Sequence, residues 1–331
     1  MKTYFINLKN SYNEFIRLFK QALKGDTEQD FTQGSIGKAA FLLAVPMVLE
    51  MVMESIFAIT DIFFVAGLGA DAVAVVGLTE AVITLLYAIA IGLSMAVTAT
   101  IARRIGEKDL DGANLATGQT VWIGLMVAVV IGFIGVFYAE QILRLMGATD
   151  SVVEQGRAYT SIMLTGSFTI LYLFLFNAVF RGAGDASVAM KSLWLANGIN
   201  IVLDPLLIYG IGPFPELGVT GAGVATNIGR GIGVLYQLYH LTNGKNRIHL
   251  DFSHMRFAWS VCVKLMRTSF GGVAQFLIAT ASWVALVRIV SNYGSEAIAG
   301  YTIAIRVVIF AILPAWGLSN AVATLVGQNL G

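Results

Sequence analysis

Eight runs of mostly apolar residues, each long enough to cross a bilayer, constrain this chain more than any other feature. They lie near residues 36–66, 74–102, 119–139, 159–180, 188–210, 217–240, 258–290 and 297–329, and a spanning helix needs about 20 such residues. Hydrocarbon offers no water to backbone N–H and C=O groups, so runs of this length fold as helices that satisfy those groups internally. Composition agrees: 57% of the 331 residues are hydrophobic and 12% are charged, against roughly a quarter charged in a soluble domain. The expected fold class is all-α integral membrane, a polytopic bundle of eight transmembrane helices.

The segments between the runs carry turn residues, as in Gly67-Leu-Gly-Ala-Asp71 and Gly212-Pro-Phe-Pro215. Their basic residues set the orientation. With the N-terminus cytoplasmic, sixteen of the 21 Lys and Arg fall inside, Arg103, Arg104, Arg181 and Lys191 among them, and only Arg144 and Arg157 fall outside. The reading is a multi-pass protein of the cell inner (plasma) membrane. Arg230, Arg288 and Arg306 lie within runs, where they snorkel, pair with acids or line a cavity. Residues 1–33 are polar and basic, and Phe5, Phe15, Leu18, Phe19 and Leu23 predict a retained amphipathic helix on the cytoplasmic membrane surface. A net charge of +1 excludes nucleic acid as a partner. Cys262 is the one cysteine, and His240, His249 and His254 lack metal-ligand spacing within a helix, so neither a disulfide framework nor a resident metal or cofactor is expected.

At a constant offset of 225 the chain aligns with itself, Gly92-Leu-Ser-Met-Ala-Val97 on Gly317-Leu-Ser-Asn-Ala-Val322, Gly69 on Gly294 and Gly106 on Gly331. Ungapped matches across two runs and their connection point to a repeated unit. The division expected is an N-terminal segment 1–33, a first lobe of six helices at 34–241, and at 242–331 the start of a second lobe with two helices. Completing that second unit takes on the order of 100 further residues, so the sequence is expected to be incomplete at its C-terminal end.

Charges inside the runs are the functional signal, because each costs roughly 2.5–3.5 kcal/mol at a bilayer centre. Five acids qualify: Glu50, Glu54, Asp61, Glu80 and Asp204. At about 100° per residue, Glu50, Glu54 and Asp61 form one stripe within about 40°, which must face protein or a water-filled cavity. Glu50 and Glu54 are read either as a solvated cavity wall or as partners of a buried arginine. Asp61 and Asp204 each precede the outer end of their helix by six residues, about 9 Å of rise. Asn200, one turn from Asp204, and Thr226 in the following helix reach the same level. Two carboxylates, an amide oxygen and a hydroxyl suit a small hard cation such as Na⁺, and two neighbouring carboxylates also suit a proton. Pro205 frees a carbonyl beside Asp204.

At these residues the sequence resembles the multidrug and toxic compound extrusion (MATE) transporters, in their DNA-damage-inducible, archaeal-like branch. The likeness covers residues from about 31 onward. It is carried by Pro46 with Thr60-Asp61 and Ala66-Gly-Leu-Gly69, Ala102-Arg-Arg-Ile-Gly106, Phe180-Arg-Gly-Ala-Gly184, Asn200-Ile-Val-Leu-Asp-Pro-Leu-Leu-Ile-Tyr209, Gly221-Ala-Gly-Val-Ala-Thr226 and Gly327-Gln-Asn-Leu-Gly331. The resemblance implies two six-helix lobes, twelve helices in all, around a central cavity. It implies that Asp61, Asn200, Asp204 and Thr226 form the first-lobe cation or proton site, that α-helix bending occurs at Pro46, and that Asn177 is a polar cavity position. Glu54 stands where the family has a neutral polar residue. The implied function is a monomeric antiporter with no enzyme activity, which exports amphipathic, cationic organic molecules across the lipid bilayer in exchange for H⁺ or Na⁺. The nearest rival is a lipid-linked oligosaccharide flippase of the same superfamily, which needs basic cavity residues for pyrophosphate. An intramembrane aspartyl protease, read from Gly182-Ala-Gly-Asp185 and Asp61, fails on depth: the two acids belong to opposite ends of their helices.

Overall fold

The computed structural model describes residues 2–25, 30–291 and 295–331, without the side chains of residues 2–11, Ala70 and much of 283–311. Helices follow in the order α1 (Lys2–Lys24), α2 (Ile36–Ala66), α3 (Ala70–Gly106), α4 (Leu110–Leu145), α5 (Asp150–Thr165), α6 (Ser167–Ala183), α7 (Ala186–Ile208), α8 (Val219–Thr242), a short 3-10 turn (Phe252–Met255), α9 (Trp259–Ser291) and α10 (Ser295–Asn329). Each of the eight apolar runs is helical, and the class is all-α. Six helical stretches among the described residues are long and apolar enough to cross a membrane: Ile36–Ala66, Asp71–Gly106, Leu110–Leu145, Asp150–Ala183, Ala186–Ile208 and Trp259–Ser282. Helix α8 is not among them, because Thr220, Thr226, Asn227, Arg230 and Gln237 interrupt its apolar sequence. The run at 297–329 includes side chains outside the described set, as do the sequence expectations for Arg288 and Arg306.

The fourth run forms one long stretch, Asp150–Ala183, interrupted at Gly166 between α5 and α6, where a side chain would strike Asn227 of α8. The break is closed by hydrogen bonds: Asn227 Nδ2 donates to the Ile162 carbonyl at 3.2 Å, and Thr169 Oγ1 donates to the Gly166 carbonyl at 2.8 Å. Helix α6 then ends at Gly184, whose φ of 90° is left-handed and favours glycine. Arg181 was counted with the loops in the charge reading. It lies instead in the last turn of α6, 6% exposed.

Lipid and protein faces separate cleanly on α4. Val129, Val130, Phe133, Val136 and Phe137 are exposed, the surface a bilayer would solvate, while Ala113, Ala116, Thr117, Thr120 and Ile123 are buried. Of these, Ala113, Ala116 and Ile123 join a cluster at the basic end of the bundle with Ile101, Phe176, Phe180, Leu193 and Leu241. A second cluster, including Val65, Val75, Ile83, Leu171 and Ile208, fills the opposite end. Helix α7 is stitched to α2 at three levels: Trp194 Nε1 donates to the Leu49 carbonyl at 3.0 Å, Asn197 Nδ2 to Glu54 Oε2 at 2.9 Å, and the Tyr209 hydroxyl to the Phe64 carbonyl.

Helices α9 and α10 dock through glycines. Gly92 of α3 lies against the Val273 backbone of α9, and Gly317 of α10 against the Met47 carbonyl of α2, the close approach that small residues permit between helices in a membrane. At the basic end, Thr324 Oγ1 donates to the Arg181 carbonyl at 3.1 Å and Gln328 Nε2 to the Gly182 carbonyl at 2.9 Å. Residues 243–258, which join the units, are strapped to α4. Asn114 accepts from the His249 N–H, Gln119 Nε2 donates to the Arg256 carbonyl, Gln119 Oε1 accepts from the Ala258 N–H, and Trp122 Nε1 donates to the Met255 carbonyl. Helix α1 is amphipathic as the sequence predicts, and its last turns sit on the bundle: Ala22 and Phe31 pack with Leu42 and Ala186, and the Lys24 carbonyl accepts from Lys191 Nζ at 2.9 Å.

Candidate functional site

The acid stripe of α2 faces inward, and its members meet different surroundings. Glu50 is 1% exposed. Its Oε1 accepts from Arg181 Nη1 at 2.8 Å and from Asn177 Nδ2 at 3.0 Å, both on α6. Asn177 Oδ1 in turn accepts from Ser192 Oγ of α7 at 3.1 Å and from Gln237 Nε2 of α8 at 2.5 Å. One buried network therefore ties four helices. A charge so far from water is tolerated only when paired and hydrogen-bonded, and Arg181 provides the countercharge. Asn177 is 3% exposed and serves this network. Pro46, also buried, lies one turn before Glu50 and has no N–H to donate to the Leu42 carbonyl, so α2 is weakened at that turn.

Glu54 forms the next level. Its side chain is 23% exposed, its Oε2 accepts from Asn197, and its Oε1 lies 3.5 Å from Arg230 Nη2 of α8. The Arg230 guanidinium stands over the Phe57 ring at 5.5 Å and the Tyr87 ring at 5.9 Å, a cation–π setting that compensates part of its lost hydration. Of the two readings left open for Glu50 and Glu54, pairing with a buried arginine describes both.

Near the opposite end of the bundle, Asp61, Asn200, Asp204 and Thr226 come together from α2, α7 and α8. Asn200 Nδ2 donates to Asp204 Oδ1 at 3.2 Å and to Thr226 Oγ1 at 3.1 Å. Helical spacing puts Asn200 and Asp204 one turn apart on the same face, and Pro205 leaves the Ile201 carbonyl of that turn without its N–H donor. Asp204 is fully buried and Asp61 is 9% exposed. Asp61 has no hydrogen bond or ion pair among the described residues, and it is the acidic group acting on Asp204 through space. This site thus holds two buried oxygens without a donor among the described residues, Asn200 Oδ1 and Asp204 Oδ2. Buried acceptors of this kind are suited to receive a proton or a cation. Among the described residues no three His, Cys, Asp or Glu side chains converge on a metal position. A cation here would draw on two carboxylates and neutral oxygens, the ligand set of a weakly held monovalent ion or a proton.

The sequence reading missed Arg181, Ser192, Asn197 and Gln237. The last three were visible as polar residues inside apolar runs, where a hydrogen-bonding partner is obligatory. Glu80, also singled out, is exposed on α3. Asp185 lies at the α6–α7 turn, 4% exposed, at the opposite end of the bundle from the Asp61 site.

Comparison with known proteins identifies the family of the chain. YoeA of Bacillus subtilis, named for multidrug resistance, is 27% identical over 307 residues, 92% of this chain and 66% of its own length. NorM of Thermotoga maritima, likewise named for multidrug resistance, is 28% identical over 89% of this chain and 64% of its own. A solved outward-facing multidrug resistance MATE transporter of the MOP superfamily superposes with a TM-score of 0.82 at 29% identity, covering 90% of this chain and 66% of that one. The chain thus spans about two thirds of the length of the relatives it matches. The family model described as MatE matches residues 46–206 and 273–331, which takes in the α2 stripe, both members of the Asp61/Asp204 pair and most of the second unit: this chain belongs to the MatE family.

Proposed function

We propose that this chain provides the ion-binding lobe, residues 34–241, and the first helices of a second lobe, residues 242–331, of a monomeric antiporter. The protein sits in the cell inner membrane with its N-terminus cytoplasmic and exports amphipathic organic molecules in exchange for H⁺ or Na⁺. The carrying observation is the Asp61/Asp204 pair, with buried acceptor oxygens that lack donors. The mechanism is alternating access. A proton or Na⁺ entering between Asp61 and Asp204 removes the repulsion between two carboxylates, lets α2 and α7 draw together, and changes the lobe's affinity for cargo. Pro46 supplies the compliant turn through which α2 responds. The cargo preference rests on Asp61 and Asp204. Glu50 and Glu54 add little to it, because Arg181 and Arg230 offset their charge. The amphipathic cargo with a cationic centre remains the reading that the acidic site favours.

The test is counter-flow of a cationic dye in proteoliposomes of the full-length protein, driven separately by Na⁺ and pH gradients. Asp61→Asn is expected to abolish gradient-driven efflux while membrane insertion and yield stay intact. Undiminished export by that variant would sink the assignment.

A further inference from the structure

Arg230 stands between two acids of one helix face. Glu54 and Asp61 are seven residues apart on α2, two turns, or about 10 Å of rise. On α8, Arg230 follows Thr226 by four residues on the same face, about 6 Å towards the basic end. Since Thr226 is bonded to Asn200 at the level of Asp204, the guanidinium lies between the levels of Glu54 and Asp61.

Its bonding is lopsided. Arg230 is 4% exposed. The guanidinium reaches Glu54 through Nη2 at a long 3.5 Å and hydrogen-bonds the Tyr87 hydroxyl, whereas Nε and Nη1 have no hydrogen-bond partner among the described residues. Two unpaired N–H groups on a buried cation are costly, and the other acid facing this space, Asp61, has no partner among the described residues. The ionisable groups acting on the guanidinium are the Tyr87 hydroxyl, Glu54 and Asp61, with Asp204 and Tyr159 next to Asp61 and Glu80 further along α3.

We propose that Arg230 is a tethered cation that competes with the coupling ion for Asp61. With the site empty of ion, the guanidinium turns its unpaired nitrogens to Asp61. When H⁺ or Na⁺ takes Asp61, Arg230 is released to Glu54. The pairing to Glu54 is one of these two berths. Glu54 is then a positioning residue: it acts on the ion only through Arg230, by offering the guanidinium a second berth. This inference rests on the ion-site reading above and adds to it a member that sets how tightly the ion is held.

The experiment measures the driving-ion concentration for half-maximal dye counter-flow in the full-length protein, with Na⁺ and with H⁺. Arg230→Met removes the competitor, and the half-maximal concentration is expected to fall about tenfold. Glu54→Gln removes the alternative berth, holds Arg230 on Asp61, and raises it by a similar factor. In the double variant Glu54→Gln/Arg230→Met the Glu54 effect vanishes and the value stays below that of the unsubstituted protein. The double variant strips both charges together, so it leaves no orphaned buried ion and carries the test if a single variant fails to fold. Shifts of the same sign in both single variants, or a Glu54 effect that persists without Arg230, overturn the proposal. If Asp61→Asn abolishes coupling while those signs fail, the competition alone is wrong. If neither ion drives counter-flow in the unsubstituted protein, the ion-site reading falls and this inference with it.

Discussion

Glu50 and Asp61 share a stripe of α2, three turns apart, yet they live under opposite rules. Glu50 is held by Arg181 and Asn177 in a network that reaches α7 and α8. Asp61 faces the polar atoms of Asp204 and Asn200 without a hydrogen bond of its own among the described residues. Both are carboxylates that hydrocarbon would reject. One is neutralised by a fixed arginine and therefore belongs to the architecture. The other lacks a fixed partner, which is the condition for exchanging one. Position on a stripe shows that an acid faces inward, while the partner inventory separates a structural charge from a working one.

Breaking the inner half should cost the most. Arg181→Met leaves Glu50 charged and unpaired, and is expected to destabilise the protein by about 3–5 kcal/mol, read as a fall in thermal unfolding temperature in detergent. Adding Glu50→Gln to that variant should recover most of the loss, because the orphaned charge goes with it. Asn177→Ala, which removes the hub between Glu50, Ser192 and Gln237, should cost about 1–3 kcal/mol in the same assay. At the other end of the stripe the expectation reverses. Asp61→Asn deletes a charge without a fixed partner, so unfolding should shift by less than about 1 kcal/mol even as gradient-driven transport disappears. Smallest of all, Glu140→Gln removes the solvent-accessible ion pairs with Arg144 and Arg157 and should change stability by no more than about 0.5 kcal/mol. If Asp61→Asn proved as destabilising as Arg181→Met, the distinction between the two halves would collapse.

The inward stripe was legible in the sequence because helical period alone determines it: residues 50, 54 and 61 share a face whatever surrounds them. Depth was legible for the same reason, since helical rise set Asp61 and Asp204 at one level before any contact was known. The countercharges were not legible. Glu50 and Arg181 are separated by 131 positions, and no local pattern says which arginine meets which acid. The inward turn of Arg181 was hidden because only two residues separate it from the helix-ending Gly184, and a rule that counts basic residues near helix ends does not see where a side chain turns. The break at Gly166 was hidden as well. Its cause is Asn227, 61 positions later, pressed against the backbone where a side chain would stand.

The strap on α4 bears on where one unit ends. By repeat and by hydropathy, the first lobe closes near residue 241. Yet Gln119, which has no exposed surface, spends its amide on Arg256 and Ala258, and Trp122 spends its indole N–H on Met255. A gene cut between α8 and the 3-10 turn would leave those groups inside an apolar wall with nothing to bind. The seam visible in the repeat is therefore not an energetic seam. An autonomous first lobe would have to carry residues 243–258 with it, and the smallest piece that folds is longer than the smallest piece that repeats.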